Sequence, residues 1–366
     1  MNIAFIGAFT GIGGIQKVSA LIASELARQN NVCYIDYRGD DEYHFQLNEV
    51  IKKFNIASAQ NKGRHMATGD KIDTMYQSEI ENIVNILRYE YIDTAFFAGS
   101  FCTALISNIK DKLSKVKMVA WQHNNFEQYM GRYSEKYREE YINGLANADA
   151  VICLTKHDEL LFSKYNHNSV CIGNPVKINH SEKCDLESRQ LLAVGRIEIE
   201  HKGMDLLLEA CDLADYAPEW TLCIVGDGND MQKLVEKIIG TNKSDKVFLK
   251  GQLLGHDLLK EYKNSSIFIM TSRWEGFGLT LLEAMSFGLP IISTPASGPK
   301  EILNDGEFGL LTKSFNSVDI ADAIQIMTGS LEQRQYYSAQ SMKRVQDYTV
   351  EKIIPKWNEL LAELYQ

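Results

Sequence analysis

Short apolar runs followed by glycines and then by helical spacing constrain the fold of this chain more than any other feature. Residues 2–7 form the first run, glycine-rich residues 11–14 follow, and residues 16–28 carry apolar side chains at helical spacing. A second apolar run extends from residue 32 to Asp36. Parallel strands need a crossover connection, which is usually a helix. This order of elements therefore predicts the start of a parallel α/β sheet.

The same alternation continues through both halves of the chain. In the first half we predict further strands at 94–98, 117–121, 150–154 and 169–173, and helices at 80–89, 132–145 and 156–165. In the second half we predict strands at 190–195, 221–225, 247–249, 266–270 and 290–294, and helices at 202–214, 229–239, 279–287, 318–328 and 350–365. The polar stretch 174–186, which contains Pro175 and shows no periodicity, indicates a linker.

These patterns predict the α/β class with two Rossmann-like parallel α/β domains. We place the N-terminal domain at residues 1–180, the C-terminal domain at 187–345, and an amphipathic C-terminal helix within 346–366. Open parallel sheets bind ligands at the carboxyl ends of their strands. We therefore expect two such domains to face an interdomain cleft that holds a ligand.

Composition argues against several classes of protein. The net charge of −10 leads us to expect no nucleic-acid partner. The seven cysteines contain no Cys-x-x-Cys pair, which favours reduced thiols in a reducing compartment and no structural zinc site. The apolar N-terminus has no basic region typical of a signal peptide, and no apolar run reaches the length of about 18 residues that spans a membrane. We expect a cytoplasmic protein.

The most informative segment is residues 272–290, SRWEGFGLTLLEAMSFGLP. Glu275 lies in a loop before a predicted helix, and Glu283 lies eight residues later on that helix. The residues between them at the helix start are Gly276, Phe277, Gly278 and Leu279. A helix N-terminus offers free N–H groups to phosphate, and a carboxylate accepts hydrogen bonds from sugar hydroxyls. From spacing alone, a glycine turn followed by a solvated helix face fits equally well.

The segment resembles the Glu-x7-Glu signature of the retaining glycosyltransferases of family four, which have the GT-B fold. Residues 194–196 (Val-Gly-Arg), 201–203 (His-Lys-Gly) and 205–207 (Asp-Leu-Leu) resemble the first strand, loop and helix of the C-terminal domain of that family. Residues 297–302, SGPKEI, resemble members that act in bacterial surface-polysaccharide assembly. The resemblance also implies that the final helix, which carries Trp357, packs back on the N-terminal domain.

The resemblance assigns roles in donor binding to residues of the second half. Arg196 and Lys202 are expected to neutralise the donor diphosphate, where a leaving nucleotide develops negative charge. Glu283 is expected to bind the donor ribose, and Glu275 the transferred sugar. Lys250 lies in the loop that resembles the one near the donor base. A surface cation pair at a helix start is the alternative for Arg196 and Lys202.

Two sites in the first half complete the resemblance. Gly13 and Gly14 match the family's glycine-rich loop, where the backbone can approach a phosphate or the sugar. His123 matches by position a histidine that contacts the transferred sugar in the family. The alternative for His123 is a core or cleft-lining side chain with a satisfied partner.

The implied function is a retaining glycosyltransferase that needs no metal and no cofactor. It would move a hexose or N-acetylhexosamine from a nucleotide sugar, expected to be a UDP-sugar, to a glycan or lipid-linked acceptor in surface-polysaccharide assembly. The chain contains no Asp-x-Asp motif of the kind that holds a divalent ion in metal-dependent glycosyltransferases. Alternatives are a non-catalytic GT-B partner subunit and a nucleotide-sugar epimerase.

A nicotinamide-dependent dehydrogenase is a further alternative. Gly7, Gly11 and Gly13 fit the glycine spacing of short-chain dehydrogenases, and Asp36 ends the second strand, where a carboxylate would bind an NAD ribose. That class needs a Tyr-x-x-x-Lys pair in the middle of the chain. Here this spacing occurs at Tyr348–Lys352, near the C-terminus, and the second α/β domain would be unexplained.

Residues 106–117, ISNIKDKLSKVK, form a basic amphipathic stretch. Four apolar residues alternate with four lysines, which suits a peripheral position on an anionic bilayer. This stretch is our candidate for peripheral contact with the inner face of the plasma membrane. The alternative is a solvated helix packed on its own domain.

Overall fold

The computed structural model describes residues 1–38, 43–57, 71–178 and 183–366 and divides the chain into two compact units. The first unit contains Met1–Pro175 together with Glu351–Gln366, and the second contains Val176–Val350. Residue 180, where we predicted the end of the N-terminal domain, lies outside the described residues. The division itself falls five residues earlier in the chain, after Pro175.

The first unit is built on a seven-stranded parallel sheet. Its strands are β1 (Asn2–Gly7), β2 (Asn31–Asp36), β3 (Lys52–Asn55), β4 (Thr94–Ala98), β5 (Lys117–Trp121), β6 (Ala150–Cys153) and β7 (Ser169–Cys171). Their order across the sheet is β3-β2-β1-β4-β5-β6-β7. The central strands β1 and β4 are buried along almost their whole length, because helices cover both faces of a doubly wound sheet. This order is the Rossmann arrangement extended by one strand.

Helices connect these strands. They are α1 (Gly14–Leu26), α2 (Ile72–Met75), α3 (Gln77–Tyr89), α4 (Gly99–Lys110), α5 (Phe126–Gln128), α6 (Arg138–Asn147) and α7 (Lys156–Phe162). The helix predicted at 132–145 begins only at Arg138, because a π-helical turn and a 3-10 turn occupy the residues before it. Neither β3 nor α4 was among the elements that we predicted.

The structure corrects our prediction for residues 106–117. Helix α4 ends at Lys110, and Lys117 already begins β5. Ile106 and Ile109 are fully buried in the core of the first unit, and Val116 is buried as well. The apolar side chains therefore form no exposed face that could lie in a bilayer, so the helix packed on its own domain was the better alternative.

The second unit repeats the architecture with a six-stranded parallel sheet. Its strands are β8 (Gln190–Val194), β9 (Thr221–Val225), β10 (Val247–Leu249), β11 (Ile267–Met270), β12 (Ile291–Ser293) and β13 (Leu310–Leu311), in the order β10-β9-β8-β11-β12-β13. Its helices are α8 (Ile199–Lys202), α9 (Met204–Leu213), α10 (Met231–Ile239), α11 (Gly255–Asn264), α12 (Leu279–Ser286), α13 (Ser297–Ile302), α14 (Ser317–Gly329) and α15 (Leu331–Arg344). The predicted α/β class with two Rossmann-like parallel sheets is confirmed.

The helix predicted at 202–214 begins only at Met204, because Gly203 separates it from the short helix α8. The φ of Gly203 is +62°, in the left-handed region that favours glycine. A Cβ atom at this position would lie 2.1 Å from the carbonyl oxygen of Thr271. The close approach of the two loops therefore requires glycine here.

The last helix, α16 (Val350–Glu363), lies against the sheet of the first unit. The Trp357 ring is buried and packs against Phe96, Trp121 and Phe5, with ring centroids 5.0, 4.9 and 6.2 Å away. Near the end of the chain the Tyr365 hydroxyl lies 2.8 Å from the Thr94 hydroxyl. Among the helices that the structure describes, none has both the length and the apolar character that crossing a bilayer requires.

Candidate active site

The predicted donor residues follow two neighbouring strands of the second sheet. Arg196 comes after β8, and Glu275 comes after β11. These strands pair with each other, and the chain leaves them in opposite directions across the sheet, toward β9 and toward β12. Such a reversal of strand order opens a crevice at the carboxyl ends, where α/β sheets bind ligands.

Lys202 and Glu275 form an ion pair at this crevice. The Lys202 Nζ lies 2.5 Å from the Glu275 Oε2, and their side chains are only 18% and 16% exposed. The aliphatic part of Lys202 lies over Gly195, at a van der Waals distance of 3.7 Å from where a Cβ would stand. The Ser272 hydroxyl lies 3.4 Å from the same carboxylate oxygen. The structure thus brings together two residues that are 73 positions apart in the sequence.

A second ion pair fixes the loops that carry these residues. The Arg273 guanidinium donates two hydrogen bonds to Asp205, at 2.9 and 2.7 Å, in the bidentate geometry that makes such pairs strong. Partial burial raises the pKa of Asp205, but the hydrogen bonds and charge of Arg273, together with backbone amides, hold the pKa below its usual value. The Arg273 amide donates to the carbonyl of His201, and the Thr271 hydroxyl donates to the carbonyl of Lys202. We did not assign Arg273 or Asp205 from the sequence, although both lie in the segments that resemble the family.

The start of α12 is held in a defined conformation. Gly278 precedes the helix with a φ of +104°, and Leu279 is its first residue. The Gly298 amide donates a 3.1 Å hydrogen bond to the carbonyl of Glu275. Phe277 is buried and packs edge-on against Tyr348. The side chain of Phe277, one of the four residues predicted at the helix start, therefore packs in the protein interior.

Glu283 lies on α12 and has a partner that we did not predict. The hydroxyl of Tyr262 donates a 2.9 Å hydrogen bond to the Glu283 Oε2. Tyr262 belongs to α11, a helix absent from the predicted elements. No local sequence signal connects two residues on separate helices, so this contact depends on the packing of α11 against β11 and α12.

The other two predicted cations have partners of their own. The side chain of Arg196 is 60% exposed and lies 3.2 Å from Glu198, its neighbour in the loop. Burial raises the pKa of Glu198, but Arg196 and His201 together lower it below its usual value, so the carboxyl stays ionised. Lys250 follows β10 and lies 3.5 Å from Glu261 of α11. Neither cation is paired with Glu275 or Glu283 in this structure.

In the first unit, His123 follows β5 with its ring against Trp121, at a centroid distance of 4.1 Å. Its Nε2 is buried and has no hydrogen-bond partner among the described residues. Burial lowers the pKa of His123 to about 3. The ring is therefore neutral at pH 7 and can exchange hydrogen bonds with a ligand but cannot supply charge.

The glycine loop of the first unit leads directly into α1. Gly13 precedes the helix in an extended conformation, and Gly14 is the first helical residue. Asp36 is fully buried, and its carboxylate accepts hydrogen bonds from the amides of Phe9 and Thr10 in this same loop. The carboxylate therefore supports the loop instead of facing a ribose, which argues against the dehydrogenase alternative.

No group of three or more His, Cys, Asp or Glu side chains is arranged to hold a metal ion in the parts of the chain that the structure describes.

Known glycosyltransferases resemble this chain in sequence. Residues 177–344 match the family described as glycosyl transferases group 1. An uncharacterized glycosyltransferase of Haemophilus influenzae is 28% identical over 363 residues, which covers 98% of each chain.

Solved structures share the fold at low sequence identity. The apo form of the lipopolysaccharide outer core galactosyltransferase WaaB superposes with a TM-score of 0.77 at 20% identity, over 99% of both chains. The Anabaena protein HepE in complex with UDP-glucose superposes with a TM-score of 0.78 at 17% identity, over 99% of this chain and 100% of that one. The predicted GT-B fold and transferase class are confirmed, and residues 177–344 are similar to the group 1 glycosyl transferases.

Proposed function

We propose that this enzyme is a retaining, metal-independent glycosyltransferase. It transfers a hexose or N-acetylhexosamine from a UDP-sugar to a glycan or lipid-linked acceptor in cell-surface polysaccharide assembly. The observation that carries the donor assignment is the Lys202–Glu275 ion pair at the crevice between β8 and β11. WaaB is described as a lipopolysaccharide outer core galactosyltransferase, which supports a surface polysaccharide as the product. HepE was solved with UDP-glucose, which supports UDP as the nucleotide of the donor.

The ion pair suggests how the donor is received. Lys202 is neutralised by Glu275 in the unliganded enzyme, and a diphosphate carries more negative charge than one carboxylate. The diphosphate would therefore compete for Lys202 and release Glu275 to accept hydrogen bonds from hydroxyls of the sugar. The free amides at the start of α12 and the exposed Arg196 would stabilise the charge on the diphosphate.

Transfer with retention needs no strong protein base. The acceptor hydroxyl would attack the anomeric carbon on the face from which the diphosphate leaves. The bond from the anomeric carbon to the diphosphate oxygen breaks, and that oxygen takes the proton of the acceptor. Fixed cations lower the barrier because negative charge grows on the leaving group. Glu283 binds the ribose in this scheme, and Lys250 lies in the loop near the base.

The roles of the first unit rest on the family resemblance. We assign His123 and the loop at Gly13 and Gly14 to the transferred sugar. The unpartnered, buried Nε2 of the neutral His123 ring supports this role, because a sugar hydroxyl would satisfy it.

A donor panel tests the proposal on the wild-type enzyme. Each nucleotide sugar is incubated with EDTA present, released nucleotide is measured, and the anomeric configuration of the product is read by NMR. We expect UDP release and a product with retained configuration. Turnover only after a divalent ion is added, an inverted product, or release of an epimerised donor would contradict the corresponding part of the proposal.

The Lys202→Ala variant directly tests the role of the Lys202–Glu275 ion pair in donor binding. We expect kcat/KM for the donor to fall by about 10²–10³-fold, because a fixed charge at the leaving group is lost. Lys233→Ala is the matched control, since Lys233 forms an exposed ion pair with Asp230 on α10 of the same unit. Unchanged donor kinetics in Lys202→Ala would overturn the diphosphate assignment.

A further inference from the structure

The Tyr262 side chain contacts the predicted donor residue Glu283 and is held in place by its neighbours. It is fully buried, and its ring stacks on Phe287 with centroids 5.5 Å apart and planes 14° apart. Phe268 of β11 lies on the same ring at 6.3 Å. The hydroxyl therefore points in one direction, and it donates its hydrogen bond to the Glu283 Oε2 at 2.9 Å.

The direction of this hydrogen bond follows from the chemistry of the two groups. Burial and the nearby negative charge of Glu283 raise the pKa of Tyr262 well above its usual value, so the phenol keeps its proton at neutral pH. The phenol is then the donor and the carboxylate the acceptor. A carboxylate has about four acceptor positions, and a phenol occupies one of them. The bond restrains the orientation of the carboxylate through Oε2, and Tyr262 does not use the other oxygen, Oε1.

A ribose presents two neighbouring hydroxyls, and binding both of them to one carboxylate requires that the carboxylate plane be aligned with them. A free glutamate side chain would have to lose rotational freedom each time a nucleotide binds. A carboxylate that is already held by Tyr262 has lost most of this freedom in the unliganded protein.

We propose that Tyr262 is a positioning residue, which orients the Glu283 carboxylate to accept hydrogen bonds from the ribose hydroxyls of the nucleotide. This inference rests on the proposed role of Glu283 as the ribose ligand. Tyr262 touches no reacting atom, so its contribution lies in donor binding. The KM for the donor should rise when the hydroxyl is removed, whereas kcat should change little.

The test measures nucleotide binding to the wild type and to three variants. UDP, GDP and ADP are titrated calorimetrically, and the tightest binder is compared with its 2′,3′-dideoxy counterpart, which lacks both ribose hydroxyls. Tyr262→Phe keeps the stacked ring and removes only the hydroxyl. Tyr34→Phe is the matched control, because Tyr34 is equally buried and its hydroxyl bonds to Ser19 at 2.7 Å in the first unit.

We expect Tyr262→Phe to weaken binding of the ribonucleotide by about 5- to 20-fold and binding of the dideoxy nucleotide by less than about twofold. Tyr34→Phe should leave both affinities unchanged. Glu283→Ala should lose the preference for the ribonucleotide over the dideoxy nucleotide entirely.

The outcomes separate this inference from the proposed function. If Glu283→Ala keeps the full preference for ribose hydroxyls, or if no nucleoside diphosphate binds, the donor assignment fails and the inference with it. If Glu283→Ala loses the preference but Tyr262→Phe weakens both nucleotides equally, Tyr262 is only structural. Should Tyr262→Phe not fold, Phe287→Leu removes the stacking ring but keeps both polar groups, and it should show the same selective loss to a smaller extent.

Discussion

The strand ends of the second unit present charged pairs, whereas the predicted ligand group of the first unit is neutral. Lys202–Glu275 and Arg273–Asp205 stand at the ends of β8 and β11. His123, at the end of β5, lies in an aromatic setting and carries no charge at pH 7. Two sheets of one architecture thus offer different chemistry at the same edge. A charged crevice suits a diphosphate, and a neutral aromatic one suits a sugar.

The largest effect in this comparison is expected from removing the charge of Glu275. Glu275→Gln keeps the size of the side chain but ends the ion pair with Lys202, and kcat/KM for the donor should fall by about 10²–10³-fold. Donor hydrolysis and transfer assays measure this. Glu236→Gln, an exposed change on α10 of the same unit, should retain full activity. If Glu275→Gln kept near-normal activity, the ion pair with Lys202 would have only a structural role and no role in donor binding.

An intermediate effect is expected from the Arg273–Asp205 pair. Arg273→Lys cannot reproduce the bidentate geometry. The free energy of unfolding should decrease by about 1–2 kcal/mol, and kcat/KM for the donor by about tenfold, because the loop that carries Glu275 loses its fixed position.

Arg189→Lys is the matched control for Arg273, since Arg189 forms an exposed pair with Glu219 in the same unit and should tolerate the change. Denaturant unfolding and donor kinetics are both measured on each variant. A double-mutant cycle with Asp205→Asn should show strong coupling to Arg273. Additive losses would mean that the two residues act independently.

The smallest effect concerns the neutral state of His123. Its pKa is lowered from 6.5 to about 3 in the folded protein, so the unfolded chain takes up this proton at higher pH than the folded protein does. The contribution of His123 to stability is therefore complete above pH 6.5 and is lost as the pH falls toward 3. His123→Gln lacks this titration, and its free energy of unfolding should decrease less than that of the wild type on acidification.

Denaturant unfolding at several pH values between about 7 and about 4 measures this difference. His157→Gln is the control, because His157 is exposed and bonds to Glu127 on the surface of the same unit. If wild type and His123→Gln lose stability in parallel on acidification, burial does not hold the His123 ring neutral. The contrast between the charged pairs of the second unit and a neutral group in the first unit would then fail.

The sequence by itself determined the parallel α/β class and most strands, and it predicted which residues bind the donor. Apolar runs and helical spacing depend on near neighbours in the chain, so they are visible without a structure. The helix start after Gly278 was also visible as a local pattern, whereas the helix break at Gly203 was not predicted. The spacing of residues 272–290 left two interpretations open, and the resemblance to a family signature is what singled out Glu275 and Glu283.

Only the tertiary structure decided which of these residues meet. Lys202 reaches Glu275 because β8 and β11 are neighbours in the sheet, and strand order is not encoded in local spacing. Tyr262 reaches Glu283 because α11 packs beside α12, and Arg196 bonds to Glu198 instead of joining that pair. The apolar residues of 106–117 showed the spacing of a membrane-binding face, but burial in the first core removed that face. Sequence periodicity predicts which side of a helix is apolar, but only the tertiary packing determines what covers that side.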